Sequence, residues 1–338
     1  MSPGRAAYPS GGDYPRLARR LGLGDAVVIG LGSMIGAGVF AAFTPAAAAA
    51  GSGLLVGLAL AAAVAWANAT SSAQLAAQFP ESGGTYVYGR ECLGESWGFA
   101  AGWAFVVGKT ASCAAMAITA ATYALGGEAR AAQVVGLAVV GALTVVLTRG
   151  ITKTARLARV LLTVTLACLL VTVLVIAAFT REWAAPWAGV GDATAYGILQ
   201  SAGLLFFAFA GYARIATLGE EVRAPTVTIP RAITRALGLV IALYAVLALL
   251  LLATIGADGI AASALPLLTA AQAADVSWAG VFVRVGATVA ALGALLGLLS
   301  GVGRTVLAMA RRGDLPRLLA AVDPGSKVPA VAQLWVAG

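Results

Sequence analysis

Long apolar runs recur along the chain, and the short segments between them carry nearly all of the charge. A helix crosses the hydrocarbon layer with about 20 apolar residues. The pattern predicts eight complete spans, over residues 26–50, 53–79, 97–125, 131–148, 160–180, 194–218, 236–256 and 278–303. A ninth element starts near Val328 and reaches Gly338. Its eleven residues are too few to cross at about 1.5 Å each, so the pattern stops inside an element and the chain is treated as incomplete there.

Composition supports this reading. Of the 338 residues, 60% are hydrophobic and 11% charged, against about 25% charged in soluble domains. That excludes a soluble enzyme, a disordered tail and a nucleic-acid module. The net charge of +8 follows topology. With the N-terminus inside, seventeen Lys and Arg fall on inner segments and only Arg130 and Arg181 on outer ones. The charges are spread over several loops and form no basic patch for nucleic acid. His is absent, and Cys92, Cys113 and Cys168 are far apart, so no metal or redox motif is present in the sequence. Residues 1–24 read as a cytoplasmic tail, because prolines and glycines replace the apolar core of a signal peptide.

Two spans are interrupted. The first runs Gly30-Leu31-Gly32-Ser33-Met34-Ile35-Gly36-Ala37-Gly38, and each glycine weakens a helix by about 1 kcal/mol relative to Ala. The sixth places Gly211 among Phe206, Phe207, Phe209 and Tyr212. Non-helical backbone at membrane depth survives only where it is buried in protein or lines a cavity. Breaks at matching positions in two halves point to a transporter site. Here they fall in the first span of one set of five and the first of the next. The competing reading is close helix packing through Gly32-xxx-Gly36. A dinucleotide-binding loop is excluded, because residues 46–57 lack the acidic partner it needs.

Charges inside spans are functional candidates by default. Lys109 lies about 12 residues into the third span, roughly 18 Å deep, beyond easy snorkelling. It is expected to face the central cavity, either holding a substrate carboxylate or losing its proton during the cycle. The alternative is a fixed structural cation. Arg214 and Arg284 lie nearer span ends and are expected to snorkel. Glu220 and Glu221, at the inner exit of the sixth span, are gate candidates with Arg223 and Arg231 as available partners, or else a solvated loop pair. The outer segment 257–277 is read as a short external helix.

Five stretches carry a family resemblance. Gly36-Ala37-Gly38-Val39-Phe40, Phe79-Pro80-Glu81-Ser82-Gly83-Gly84-Thr85-Tyr86, the run Phe206 to Pro225, Thr228-Ile229-Pro230-Arg231 and Arg304 to Arg311 together resemble the amino acid–polyamine–organocation (APC) superfamily. The resemblance is to its amino acid permeases, near the cationic amino acid transporter branch. It implies an all-α membrane protein with the leucine-transporter-like inverted repeat of five plus five helices. The first repeat would be 25–180, and the second, 181–338, would be truncated in its ninth helix. It also implies a substrate carboxylate on the freed N–H groups of Ile35, Gly36, Ala37 and Gly38. The substrate ammonium would meet carbonyls of Met34, Phe207, Ala208 and Ala210, with Phe207 and Phe209 lining the cavity beside Gly211. The chain departs from its relatives at Ala213, where cationic transporters often carry an acid. It departs again at Gly108 and at Thr165, where some proton-coupled members carry a glutamate and a lysine.

The function expected is a secondary active permease for amino acids or related amines, in the plasma membrane, working by alternating access. It is expected to need no cofactor, metal or nucleic acid. Its partners are the substrate, the lipid bilayer and, as one option, protons. The alternative is a non-transporting sensor or an inactive fragment, motivated by the stop at Gly338. An enzyme is not expected.

Overall fold

The computed structural model describes residues 17–125 and 129–338. Most of the expected cytoplasmic tail lies outside the described residues. The described chain is helical, apart from a single parallel bridge between Leu21 and Val222.

The first span is three pieces: α1 (Leu23–Met34), α2 (Ala37–Ala41) and α3 (Phe43–Ala50). Gly51, at φ 54°, closes α3 before α4 (Leu54–Gln78). Next come α5 (Thr85–Leu93), α6 (Glu95–Leu125), α7 (Ala129–Thr148) and α8 (Ile151–Phe179). The sixth span divides into α9 (Ala195–Phe209), a 3-10 turn at Ala210–Tyr212 and α10 (Ala213–Ala216). The rest is α11 (Pro225–Ala262), α12 (Pro266–Ala273), α13 (Gly280–Arg311) and α14 (Ala330–Ala337).

Among the described residues seven helical segments are long and apolar enough to cross a membrane. The sequence predicts eight. The difference is the first span, whose inner part, Leu23–Met34, is too short by itself because the helix stops at Ile35. Several helices also outrun their apolar stretch. Helix α8 begins at Ile151 and α13 continues to Arg311, since backbone hydrogen bonding continues after the apolar pattern ends. Gly256, at φ 67°, interrupts α11 where the seventh span is predicted to end, and α12 occupies the outer segment where a short helix is expected.

Helices α11 and α13 are the inner members of the bundle. Their most apolar stretches are 56% and 67% buried, against 28% for α6 and α7. The outward faces of α7 and α8 carry Val134, Leu137, Leu170 and Leu174 exposed, as a lipid-facing surface requires. Helix α13 packs on α6 and α8, and α4 packs on α9 and α11. Helix α11 touches α1, α3 and the turn after α9, so one long helix spans both interruptions.

Candidate functional site

The two interruptions meet. At the first, Ile35 leaves helical geometry with φ −80° and ψ 71°, and Gly36 follows at φ −122° and ψ −141°. At the second, Gly211 lies directly against the first: a Cβ there would collide with the carbonyl of Ser33 and lie 2.7 Å from Met34 Cγ. Gly38 faces α9, where a Cβ would lie 2.8 Å from Ala208 Cβ and 3.2 Å from the Tyr244 hydroxyl. Gly36 backs onto α13, 2.6 Å from Ala294 Cβ by the same measure. The glycines therefore serve close approach between two broken helices, which combines the packing and broken-helix readings of the sequence.

The backbone groups expected to bind substrate are unequally used. The N–H of Ile35 donates to Leu31 O at 2.7 Å and that of Gly36 to Met34 O at 2.9 Å. Ala37 and Gly38 open α2, where N–H groups have no intrahelical acceptor. Among the carbonyls, Phe207 O accepts from the Ala210 N–H. Met34 O accepts the Tyr244 hydroxyl at 2.8 Å, and Ala208 O lies 3.3 Å from the same hydroxyl.

Tyr244 is the residue that sequence reasoning missed. It is buried on α11 and ties the first break to the second through one phenol. Its signal in the sequence is that it carries the only side-chain polar atom between Ala236 and Ala253. Phe209 is fully buried with its ring 5.0 Å from that of Tyr244, so it supports Tyr244. Phe207 points elsewhere: it is 62% exposed, and Lys109 Nζ stands 6.0 Å from its ring centre.

A narrow cleft of about 10 Å³ opens at this junction, lined by Ser33, Phe105, Lys109, Ala210, Gly211, Arg214, Gly297, Leu298 and Gly301. Lys109 thus reaches the same space as both breaks. Arg214 does not snorkel as expected. It is 5% exposed, and its guanidinium donates to Thr217 Oγ1 at 2.5 Å and Ser300 Oγ at 2.9 Å. The short α10 turns it toward α13, where Gly301 leaves room for its stem. Ser300 is thereby a link between helices. Arg284 is exposed and bonds the carbonyl of Tyr123 at 3.4 Å, lining a separate cavity of about 360 Å³.

Beneath the breaks lies a charged layer. Arg304 of α13 grips Glu221 with two donors, Nη2 at 2.6 Å and Nε, and both residues are fully buried. Glu220 accepts Arg311 Nη1 at 2.8 Å and the Leu17 N–H at 3.3 Å. The partners are thus arginines of α13 in place of the expected Arg223 and Arg231, because α13 runs two turns past its apolar stretch. The same strip pairs with the chain before α1: Arg20 and Leu21 N–H both reach Glu221 O at 2.9 Å, and Arg223 N–H reaches Leu21 O at 2.8 Å. Alongside, Tyr86 and Arg90 of α5 converge on Asp314 at 2.6 and 2.8 Å. Burial first, then the hydrogen bond and charge of Asp314, pushes the Tyr86 phenol above its ordinary value. Among the described residues no cluster of His, Cys, Asp and Glu suits a metal ion.

The amino acid permease family model matches residues 25–337, nearly the whole described chain. The chain belongs to the amino acid permease family. An uncharacterized transporter of Mycobacterium tuberculosis (strain ATCC 25618 / H37Rv) is 59% identical over 328 residues, covering 96% of this chain and 73% of the relative. A branched-chain amino acid permease of Bacillus subtilis (strain 168) is 27% identical over 345 residues, covering 95% and 73%. A vacuolar cationic amino acid transporter of Arabidopsis thaliana is 27% identical over 339 residues, covering 93% and 56%. This permease is therefore a multi-pass membrane transporter, and its family implies a small-molecule substrate, an amino acid. The non-transporting alternative is not favoured, because each of these relatives is a transporter or permease.

Proposed function

We propose that this permease is a secondary active transporter. It binds an amino acid where the two broken helices meet and carries it across the plasma membrane by alternating access, with its N-terminus in the cytoplasm. Helices α1–α8 form the first half of a five-plus-five inverted repeat, and the second half begins at α9. The observation that carries the reading is the contact of the two breaks, Gly211 on the Ser33 carbonyl, bridged by Tyr244. Unpaired N–H groups at a helix start attract anions, so Ala37 and Gly38 receive the substrate carboxylate. The substrate ammonium takes the second lone pair of Ala208 O and the carbonyl of Ala210. The Glu220–Arg311 and Glu221–Arg304 pairs form the inner gate, because they fasten the strip leaving α10 to α13 while the same strip hydrogen-bonds the chain entering α1.

The test is counterflow. Proteoliposomes holding the purified protein are preloaded with one unlabelled amino acid at a time and given the labelled one outside. Transient accumulation above the outside level is expected for at least one amino acid. No accumulation for any of the twenty overturns the reading. An imposed pH gradient in the same vesicles reports proton coupling, with uptake driven by the gradient as its sign.

A further inference from the structure

The cleft at the junction holds more positive charge than the described residues balance. Lys109 and Arg214 both line it, and neither forms an ion pair among the described residues. Lys109 has the ring of Phe207 6.0 Å from its ammonium and the thiol of Cys113 one turn along α6, and no carboxylate among the described residues pairs with it. Arg214 gives hydrogen bonds to two neutral hydroxyls, while its buried Nε has no partner. The one fully buried carboxylate of this region, Glu221, is held by two donors of Arg304. A buried cation without a counter-charge is strongly disfavoured unless something else compensates it. Arg214 is buried and shares the single charge of Glu221 with Arg304, and Lys109 is partly buried on the same cleft, so together they form a charge pattern that an incoming anion completes.

The cleft is continuous with the proposed substrate site. Ser33, Ala210 and Gly211 belong to the breaks and also line the cleft. Gly297 and Gly301 of α13 form the opposite wall, so small residues stand where the wall meets Ser33 and the Arg214 stem. As it stands the cleft has room for about one water molecule, so filling it requires the half-helices or the flexible Lys109 chain to move.

We propose that the Lys109–Arg214 cleft is a subsite for a carboxylate on the substrate's side chain, which makes dicarboxylic amino acids the preferred substrates. The proposal rests on the reading of the breaks as the amino acid site. The backbone N–H groups of Ala37 and Gly38 hold the α-carboxylate, and Lys109 and Arg214 hold the second one. Substrates with ammonium or guanidinium side chains meet two like charges and are rejected.

The test uses the full chain in proteoliposomes, with labelled glutamate, aspartate, glutamine, leucine and arginine in counterflow. Glutamate or aspartate is expected to exceed arginine at least tenfold. Arg214→Gln and Lys109→Met are each expected to lower the ratio of glutamate to glutamine counterflow at least tenfold, and Arg214→Lys to restore part of it. A merely structural role for Arg214 lowers all substrates together and leaves that ratio unchanged, which overturns the proposal. Leucine or arginine outrunning both acidic substrates also overturns it, while the amino acid reading stands. Leucine counterflow that needs chloride, with none for glutamate, assigns the cleft to a free anion and overturns the proposal as well. No counterflow for any amino acid overturns both readings.

Discussion

The Tyr244 hydroxyl has one hydrogen and two carbonyls within reach. The nearer, Met34 O at 2.8 Å, takes most of it, and Ala208 O at 3.3 Å keeps lone-pair capacity for a ligand. Tyr244→Phe removes this tie while keeping the ring on Phe209. A buried hydrogen bond contributes about 0.5–1.5 kcal/mol, so the variant is expected to fold, lose a few degrees of thermal midpoint, and weaken substrate binding. Binding equal to the parent protein would remove Tyr244 from the site. Gly211 allows a harsher prediction. Gly211→Val places methyls where the Ser33 carbonyl already lies, and is expected to abolish transport by forcing the breaks apart. Glu221→Gln leaves the Arg304 guanidinium buried without its counter-charge, and breaking such a pair costs about 3–5 kcal/mol. The expected readout is a large drop in thermal midpoint, recovered in Glu221→Leu/Arg304→Met, whose closed inner face is then no longer locked by charge.

At the level of elements, spans were legible because hydrocarbon sets a length of about 20 apolar residues, and α4, α6, α7, α8, α11 and α13 obey it. The breaks were legible for the same reason: Gly36 and Gly211 are costly to a helix at that depth unless the backbone must approach something. Helix α5 was not legible. Its Thr85, Arg90 and Glu91 lie outside any apolar run, and it is held by contacts with the adjoining α6 and by Asp314, which is remote in sequence. The partners of Glu220 and Glu221 were hidden likewise. Arg304 and Arg311 read as loop charges until α13 is seen to continue through them. Arg214 was misjudged because depth along a span was counted from its end, whereas burial is decided by α13 packing over it.

Across the whole molecule, α11 and α13 form an inner pair against which both broken spans lean. The arrangement joins the proposed substrate site at the breaks to the charged layer beneath them, through pieces as short as α2 and α10. In the proposed cycle, substrate binding at the breaks acts on the Glu221 strip within a few residues, and opening that strip frees the chain before α1. The most direct measurement is substrate protection of a thiol placed at the junction. Ala210→Cys, in a background with Cys92 replaced by Ser, is reacted with a small charged thiol reagent, with Trp187→Cys in the exposed segment between α8 and α9 as control. The transported amino acid is predicted to slow modification at position 210 and leave position 187 unchanged. Equal rates with and without that amino acid at position 210 would contradict the placement of the site.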